Sequence, residues 1–242
     1  LPKKRYNLKL INDNCHAMGS KLNNDIGYAI KNSDIVTHSY HAIKNFTTGE
    51  GGSVLTNDKK IYELVNNYRS HNMIKTSKDS KKFGRWFYKV NTIGYNYRLT
   101  DIQSALGITQ LNKLNKFIIK RRKVAKIYDN LLDGIPFIQK QKIQKNADHS
   151  FHLYPILIDF KEIKKDKKEL FNYMAKNNIF LQVNYQPLHY QPFVKKETKF
   201  KKGDFPVSEN FYEKQISLPI FYKITENQQR ALIRKLLSFL TN

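Results

Sequence analysis

The sequence predicts an α/β protein whose first half holds a largely parallel sheet and whose second half forms a smaller α+β part. Strand-like runs alternate with helical patterns in the first half, and the character of the chain changes after Gly134-Ile135-Pro136. With 242 residues, of which 40% are hydrophobic, the chain is long enough to bury a core and to offset the entropy lost on folding.

In the first half, the predicted strands lead into polar segments. The predicted strands are residues 7–12, 35–40 and 53–56. Asp13 follows the first strand, and Lys44 lies in the loop after the second. Gly-Glu-Gly-Gly at residues 49–52 predicts a turn, and Asp58 is suited to cap a helix that ends near Arg69.

The remaining chain predicts one long irregular segment, followed by further helices and strands. Residues 70–95 have no clear periodicity, and a long irregular segment in a compact protein is more often functional than idle. Thr100 is suited to cap a long helix whose apolar residues continue towards Leu132. Beyond it, we expect strands over residues 151–159 and 180–186 and helices over residues 166–177, 208–215 and 225–240.

The composition argues against several classes of protein. The chain has 43 Lys+Arg against 20 Asp+Glu, a net charge of +23, but the lysines are spread along the whole sequence. We interpret them as a solvated surface and expect no specific nucleic-acid partner. No apolar run approaches the ~20 residues of a membrane span, so no membrane partner is expected. The single cysteine, Cys15, excludes an intrachain disulfide and a cysteine zinc cluster, as in a reducing cytoplasm.

Most of the residues that could take part in catalysis or binding lie in three stretches, Ile11–Gly19, His38–Gly52 and Gly94–Leu106. Taken singly they decide nothing, because Lys44 could be a surface lysine and Asp13 a loop acid. His38 and His41 are three residues apart, but a strand-to-loop segment need not bring them to one side. Because no third ligand is apparent, no metal site is expected.

Together, the three stretches resemble the DegT/StrS group of pyridoxal-phosphate-dependent nucleotide-sugar aminotransferases. In that group a strand ends in an acidic motif followed by His-Ala-x-Gly. A later strand runs into Ser-Phe-His-x-x-Lys and then Thr-Thr-Gly-Glu-Gly-Gly. A Gly-Tyr-Asn-x-Arg segment follows, with Gln-x-Ala on the next helix. These motifs occur here in the same order, and the resemblance covers essentially the whole chain.

The resemblance implies the aspartate aminotransferase-like fold of PLP-dependent transferases. Residues 1–115 would form the C-terminal portion of the large PLP-binding domain, and residues 116–242 the small α+β domain. The enzyme would be cytoplasmic and homodimeric, with shared active sites and pyridoxal 5'-phosphate as cofactor. It would move an amino group from glutamate to the C4 keto group of a UDP-linked 4-keto-6-deoxy sugar in bacterial surface-glycan or flagellin-glycan sugar biosynthesis. The sequence leaves the particular sugar open.

The resemblance also implies roles for five residues at the cofactor. Lys44 would bind the cofactor covalently and then carry protons, since a lysine amine can act as nucleophile and base. Asp13 would face the pyridine nitrogen, where a carboxylate keeps the ring protonated. His16 would contact the ring or its phenolic oxygen, and Ser39 would donate to the phosphate. Asn96 would reach the phosphate of the cofactor in the neighbouring subunit.

Three further residues are implied as substrate contacts, each with a structural alternative. Arg98 could bind the diphosphate of the substrate through two parallel hydrogen bonds, or it could form a structural ion pair. Tyr185 and His189 could line the sugar site, or they could pack in the core or an interface. We expect Cys15, between Asp13 and His16, to be a small packing residue.

One part of the family pattern has no match in this sequence. Complete members carry a long segment before the acidic motif, with a Gly/Thr-rich turn that binds the cofactor phosphate and an aromatic residue that stacks on the ring. The chain begins just before the Asp13 strand and lacks a first Met. We therefore expect a truncated product, a partial sequence or one piece of a split enzyme. The alternatives are an inactive fragment or partner subunit that pairs with a complete homologue, or a basic nucleic-acid-binding protein.

Overall fold

The computed structural model describes residues 6–241, and the chain divides into two compact units. The first unit runs to Lys116 and also includes Asn146–Ser150. The second unit comprises Phe117–Lys145 and the residues from Phe151 onward. The assignment of residues 1–115 and 116–242 to the large and small domains of the family fold stays a prediction.

Strands and helices are interspersed along the described residues. The strands are Ile11–Asp13 (β1), Lys21–Leu22 (β2), Ile35–Ser39 (β3), Gly52–Leu55 (β4), Met73–Ile74 (β5), Lys89–Val90 (β6), Ile138–Lys140 (β7), Ala147–Asp148 (β8), Tyr154–Ile158 (β9) and Gln215–Leu218 (β10). The α-helices are Tyr28–Asn32 (α1), Lys59–Tyr68 (α2), Ser77–Phe83 (α3), Asp101–Leu111 (α4), Leu114–Leu131 (α5), Lys167–Lys176 (α6), Pro192–Glu197 (α7), Pro206–Lys214 (α8) and Glu226–Thr241 (α9). A 3-10 turn covers Leu188–Tyr190.

The first unit holds a mixed sheet with the strand order β1-β3-β4. β1 and β3 run parallel, with Asp13 opposite Thr37, whereas β3 and β4 run antiparallel, with Ser39 opposite Gly52. The sheet is therefore mixed, which agrees with a parallel or mixed sheet in the large domain, and β4 departs from the largely parallel sheet expected from the strand–helix alternation. A parallel return needs a crossover connection, usually a helix, and residues 40–51 contain only turns and bends.

The α2 helix confirms its predicted cap, but the segment after it departs from the prediction. The Asp58 carboxylate accepts hydrogen bonds from the N–H groups of Lys60 and Ile61. Residues 70–95 were expected to be irregular, yet they contain α3 and the antiparallel pair β5–β6. Thr76 caps α3 by accepting from Asp79 N at 3.1 Å. The α3 sequence Ser-Lys-Asp-Ser-Lys-Lys-Phe is almost wholly polar, so hydrophobic periodicity gives no sign of this helix.

The predicted long helix after Thr100 is two helices. Thr100 starts α4 with a capping box, in which its side chain accepts from Gln103 N and its own N–H donates to Gln103 Oε1. Asn112 ends α4, and α5 begins at Leu114. Asparagine favours helix ends because its side chain competes for backbone hydrogen bonds. Apolar spacing continues across the break, so the pattern alone predicts one helix.

The second unit holds an antiparallel sheet in the order β10-β9-β7. The prediction of a strand over residues 180–186 is wrong, because only Gln182 forms a ladder bridge there, with Ser217. Two residues on, Asn184 N donates to the side-chain oxygen of Gln215 at 2.9 Å instead of to a backbone carbonyl. That side-chain bond ends the ladder after one pair.

The core of the second unit lies between this sheet and its helices. Its fully buried large side chains include Tyr128, Tyr154, Ile156, Ile158, Leu170, Met174, Ile216 and Leu236. Tyr128 Oη donates to Pro219 O at 2.8 Å, so its polar end is satisfied inside the core. Between residues 6 and 241, we find no helix that combines the length and the apolar character needed to cross a membrane.

Replacing Thr100 with alanine removes the oxygen that accepts Gln103 N at the start of α4. We expect the free energy of unfolding to fall by about 1 kcal/mol, the usual loss for an N-cap. Thr109→Ala is the matched control, because Thr109 lies inside the same helix, where alanine is the better helix former. Chemical denaturation followed by circular dichroism measures both variants, and equal losses would contradict the capping role.

Candidate active site

The parallel pairing of β1 and β3 places two predicted site residues at one edge of the sheet. Asp13 is the last residue of β1, and Ser39 is the last residue of β3. The carboxyl ends of adjacent parallel strands meet at the same edge, which is where α/β proteins place ligands. The Asp13 turn, residues 13–19, and the Lys44 loop, residues 40–51, both leave the sheet from this edge.

The Asp13 turn holds an ionised carboxylate. Asp13 Oδ1 accepts a hydrogen bond from Cys15 N at 3.0 Å. Hydrogen bonds from the side chain and backbone of Cys15 lower the pKa of Asp13, and the charges of His16 and Lys44 act in the same direction. The carboxylate is therefore negative at neutral pH. Burial raises the pKa of the Cys15 thiol, which agrees with a packing residue and not with a nucleophile.

His16 and Lys44 lie within electrostatic reach of Asp13. Burial lowers the pKa of His16, and the positive charge of Lys44 lowers it further. His16 is therefore neutral at pH 7, while Lys44 supplies positive charge beside the Asp13 carboxylate. Asn45, the residue after Lys44, is 5% exposed and donates through Nδ2 to Met18 O at 3.1 Å. This bond ties the Lys44 loop to the Asp13 turn.

The Lys44 loop closes on the backbone of Tyr40. The Tyr40 carbonyl accepts from Thr48 N at 3.0 Å and from Thr47 Oγ1 at 2.9 Å. Lys44 N donates to His41 O at 3.0 Å, which gives the middle of the loop a turn of its own. Ser39 Oγ accepts from His41 N at 3.4 Å, so its hydroxyl proton stays available to a ligand.

Helix α4 supports the far side of the same loop. The Glu50 carbonyl accepts from Thr48 Oγ1 at 2.7 Å and from Gln103 Nε2 at 3.0 Å. One turn later, Gly107 faces Thr48, and a Cβ added at Gly107 would lie 2.8 Å from Thr48 Cγ2. Thr48 is buried, so α4 can approach the loop this closely only because residue 107 has no side chain.

Asn96 and Arg98 lie on a different segment of the first unit. Asn96 forms an isolated bridge with Ser70, and Arg98 Nη1 donates to Ser70 Oγ at 3.2 Å. Arg98 also borders a cavity of about 1130 Å³ beside β4 and α2, whose lining includes Val54, Tyr62, Val65, Tyr95 and Gln103. Neither Asp13 nor Lys44 lines this cavity. The structure thus groups Asp13, His16, Ser39 and Lys44, whereas Asn96 lies opposite Ser70. Arg98 borders a cavity that also touches Glu50 and Gly51 of the Lys44 loop.

Tyr185 and His189 belong to the second unit. The His189 ring is buried, with Nε2 2.8 Å from Glu209 Oε1 and the ring of Phe205 at a centroid distance of 4.7 Å. Burial alone would raise the pKa of Glu209, but hydrogen bonds from Gly203 N, His189 and Phe205 N outweigh it and lower the pKa. Tyr185 is exposed. Substrate contacts by Tyr185 and His189 stay predictions.

The residues that hold the two loops in place were given no role from the sequence, although Thr48 and Gln103 lie in the quoted motifs. These are Asn14, Asn45, Thr48, Gln103 and Gly107. One signal was available, because Gln103 and Gly107 are four residues apart and therefore share a helix face. Asn45 gave no such signal, since its partner Met18 lies 27 residues away and offers only a backbone carbonyl.

Residues 3–237 match the model of the DegT/DnrJ/EryC1/StrS aminotransferase family. The geometry of the two loops agrees with this match. The chain belongs to this family. DegT-family aminotransferases depend on pyridoxal 5'-phosphate. Comparison with a solved sugar aminotransferase confirms the aspartate aminotransferase-like fold class that the resemblance implies.

Three relatives show how far the likeness extends. A UDP-4-amino-4,6-dideoxy-N-acetyl-beta-L-altrosamine transaminase of Campylobacter jejuni is 36% identical over 89% of this chain and 54% of its own length. An uncharacterized protein of Methanocaldococcus jannaschii is 37% identical over 92% of this chain and 57% of its own. Helicobacter pylori PseC, an aminotransferase involved in the biosynthesis of pseudoaminic acid, superposes with a TM-score of 0.87 at 31% identity. That superposition covers 99% of this chain and 61% of PseC, so the chain spans little more than half the length of its relatives.

The grouped residues of this DegT-family chain fit pyridoxal 5'-phosphate. An ionised Asp13 can pair with a protonated pyridine nitrogen, and the Lys44 amine lies near enough to Asp13 to influence its pKa. Ser39 has a hydroxyl proton to donate to a phosphate oxygen at the end of β3. These groups supply the charge, amine and hydroxyl that the cofactor requires.

Gly107→Ala tests the contact between α4 and the Lys44 loop. Alanine would gain about 1 kcal/mol of helix propensity, but overpacking against Thr48 costs roughly 1–3 kcal/mol. We therefore expect a net loss in the free energy of unfolding, measured by chemical denaturation. In a Thr48→Ser background the opposing methyl is absent and the Oγ bond to Glu50 remains, so the same substitution should stabilise the protein. A loss of equal size in both backgrounds would contradict the contact.

Proposed function

We propose that this chain acts in a cytoplasmic, pyridoxal 5'-phosphate-dependent nucleotide-sugar aminotransferase. The amino group moves from glutamate to the C4 keto group of a UDP-linked 4-keto-6-deoxy sugar, in bacterial surface-glycan or flagellin-glycan sugar biosynthesis. The observation that carries the proposal is the Lys44 loop tied beside an ionised Asp13 in a chain of this family. The reducing cytoplasm suits Cys15, a free thiol.

The grouped residues divide the work at the cofactor. Bound pyridoxal 5'-phosphate supplies an electron sink for the carbon that loses its proton. The Asp13 carboxylate orients and charges the ring by pairing with the ring nitrogen. The Lys44 amine anchors the cofactor and holds or moves the proton at the reacting carbon. His16 is neutral, so it can contact the ring without adding positive charge, and Ser39 donates to the phosphate.

The nature of the substrate is supported by the relatives and by the surface of the first unit. The transaminases of Campylobacter jejuni and Helicobacter pylori named for UDP-4-amino-4,6-dideoxy-N-acetyl-beta-L-altrosamine support a UDP-linked sugar and the biosynthesis of pseudaminic acid. Arg98 is exposed and bonds to a neutral hydroxyl, so that contact leaves its positive charge for a diphosphate. In this proposal residues 1–115 belong to the large cofactor-binding domain and residues 116–242 to the small domain.

Covalent labelling tests the role of Lys44. After incubation with pyridoxal 5'-phosphate and reduction with borohydride, peptide mass spectrometry should find the cofactor mainly on Lys44. Lys44→Arg should abolish this label and the formation of 2-oxoglutarate from glutamate, because arginine keeps the charge but not the nucleophilic amine. Lys75→Arg, at an exposed position of the same unit, is the control and should leave both unchanged. Labelling spread evenly over the lysines would contradict the proposal.

We propose a homodimer with shared active sites as the working state. Large apolar side chains are exposed along the segment that carries Asn96, with Ile93 at 92% and Ile102 at 85%. Trp86 and Tyr97 add exposed aromatic surface to the same segment. A run of this kind is typical of a protein interface. In the dimer, Asn96 would reach the cofactor phosphate of the partner.

Ile102→Glu tests the dimer with little risk to folding, because a carboxylate is favourable in the first turn of a helix. Light scattering should give a mass of about twice 28.6 kDa for the wild-type chain, as expected of a dimer, and the mass of one chain for the variant. Ile119→Glu, exposed on α5, is the control and should remain dimeric. A wild-type chain that stays monomeric alone, and pairs only with a complete homologue, would instead favour the partner-subunit alternative.

A further inference from the structure

A line of hydrogen-bonded side chains, here called the cross-sheet network, joins β3 and β4 to the residue that follows β1. Tyr28 Oη donates to Asn14 Oδ1 at 3.0 Å, and Asn14 Nδ2 lies 3.0 Å from His38 Nε2. On the other side of the ring, His38 Nδ1 lies 3.4 Å from Ser53 Oγ. Tyr40 Oη donates to the same Ser53 oxygen at 2.6 Å. His38 is therefore the central link.

The network is satisfied when the His38 ring is neutral. Because Asn14 Nδ2 is a donor, His38 Nε2 accepts, and the ring proton lies on Nδ1 facing Ser53 Oγ. A charged ring would carry two N–H donors, one of them directed at the Asn14 amide N–H. Burial lowers the pKa of His38, which keeps the ring in its neutral form at pH 7.

Each end of the network holds one of the two site loops. Asn14 is 7% exposed and follows Asp13 directly, and its backbone donates to Thr37 O and accepts from Ala17 N, both at 3.0 Å. Asn14 thereby fixes the start of the Asp13 turn. At the other end, the Tyr40 carbonyl receives the two bonds that close the Lys44 loop. The proposed cofactor hydroxyl, Ser39, stands between His38 and Tyr40 in the chain.

We infer that His38 is a positioning residue, whose two-sided hydrogen bonding sets the placement of the Asp13 turn relative to the Lys44 loop. The inference rests on the proposed function only in assigning these two loops to the cofactor. His38 acts through these two loops and is assigned no contact with the cofactor. The Asn45–Met18 bond remains when His38 is replaced, so the two loops loosen without separating.

Cys15 provides a local reporter that needs no cofactor. It is the only cysteine of the chain and lies in the Asp13 turn, with Sγ 3.9 Å from Thr37 O. Burial raises the pKa of its thiol, so a looser turn exposes the thiol and increases the reactive thiolate. The rate of its reaction with a small aromatic disulfide, measured on the full chain, therefore follows the order of the turn.

We compare His38→Phe, which keeps a ring but has no hydrogen bond, with His38→Gln, whose amide can accept from Asn14 and donate to Ser53. His38→Phe loses the bonds to both Asn14 and Ser53 and should react roughly 25-fold faster than wild type, about fivefold for each lost buried hydrogen bond. His38→Gln should stay close to wild type. Tyr28→Phe removes the terminal hydroxyl only and should give an intermediate rate. Tyr62→Phe, at an exposed tyrosine of the same unit, is the matched control and should change nothing.

Two results would overturn the inference. The first is a His38→Phe rate equal to that of wild type, and the second is equal acceleration by His38→Phe and His38→Gln, which would assign the effect to packing. Thermal unfolding of each variant, measured in parallel, separates local loosening from global destabilisation. The rate with the disulfide does not depend on cofactor attachment. Absence of label on Lys44 in the wild-type chain would therefore contradict the proposed function but not the role of His38. Conversely, unchanged thiol reactivity in His38→Phe would contradict the role of His38 but not the proposed function.

Discussion

The parallel pairing of β1 with β3 is the constraint on which the candidate site depends. It brings the ends of the two strands to one edge, so that the Asp13 turn and the Lys44 loop leave the sheet side by side. If the strands were shifted by one residue, the side chains at their ends would change faces and the two loops would part. Asn45, Tyr40 and the cross-sheet network then restrict loops that the strand pairing has already made neighbours.

The electrostatics of this edge differ from those of the whole chain. The protein carries a net charge of +23. The site, in contrast, pairs one ionised carboxylate, Asp13, with one lysine, Lys44, and its histidine, His16, is neutral. The N–H group and thiol of Cys15 keep Asp13 ionised without a second full positive charge in contact. In the proposed function, the carboxylate pairs with the ring of the cofactor and the lysine offsets its negative charge. The excess of lysine over acidic residues that gives the chain its net charge is therefore interpreted as a solvated surface and not as part of this site.

Features that depend on residues near each other in sequence could be predicted, whereas contacts between residues far apart in sequence could not. Asp58 and Thr100 were identified as helix caps because a cap needs only its own neighbours in sequence. Asp13 and Lys44 lie close enough to interact electrostatically, as the family resemblance implies, and their assigned roles stay predictions. The antiparallel β4 and the single bridge of Gln182 depend on partners elsewhere in the chain, which no period of apolar residues encodes. The split between α4 and α5 was hidden because apolar spacing continues through Asn112.

Gln103 links two parts of the first unit, the segment that carries Asn96 and Arg98 and the Lys44 loop. Its Oε1 accepts from Thr100 N and so fixes where α4 begins, three residues after Arg98. Its Nε2 donates to Glu50 O and so holds the turn that closes the Lys44 loop. A carboxylate at this position could still accept from Thr100 but could not donate to Glu50. An amide at residue 103 therefore couples the segment of Asn96 and Arg98 to the lysine loop, which explains why glutamine, with the same cap-forming reach as glutamate, is the residue the geometry requires.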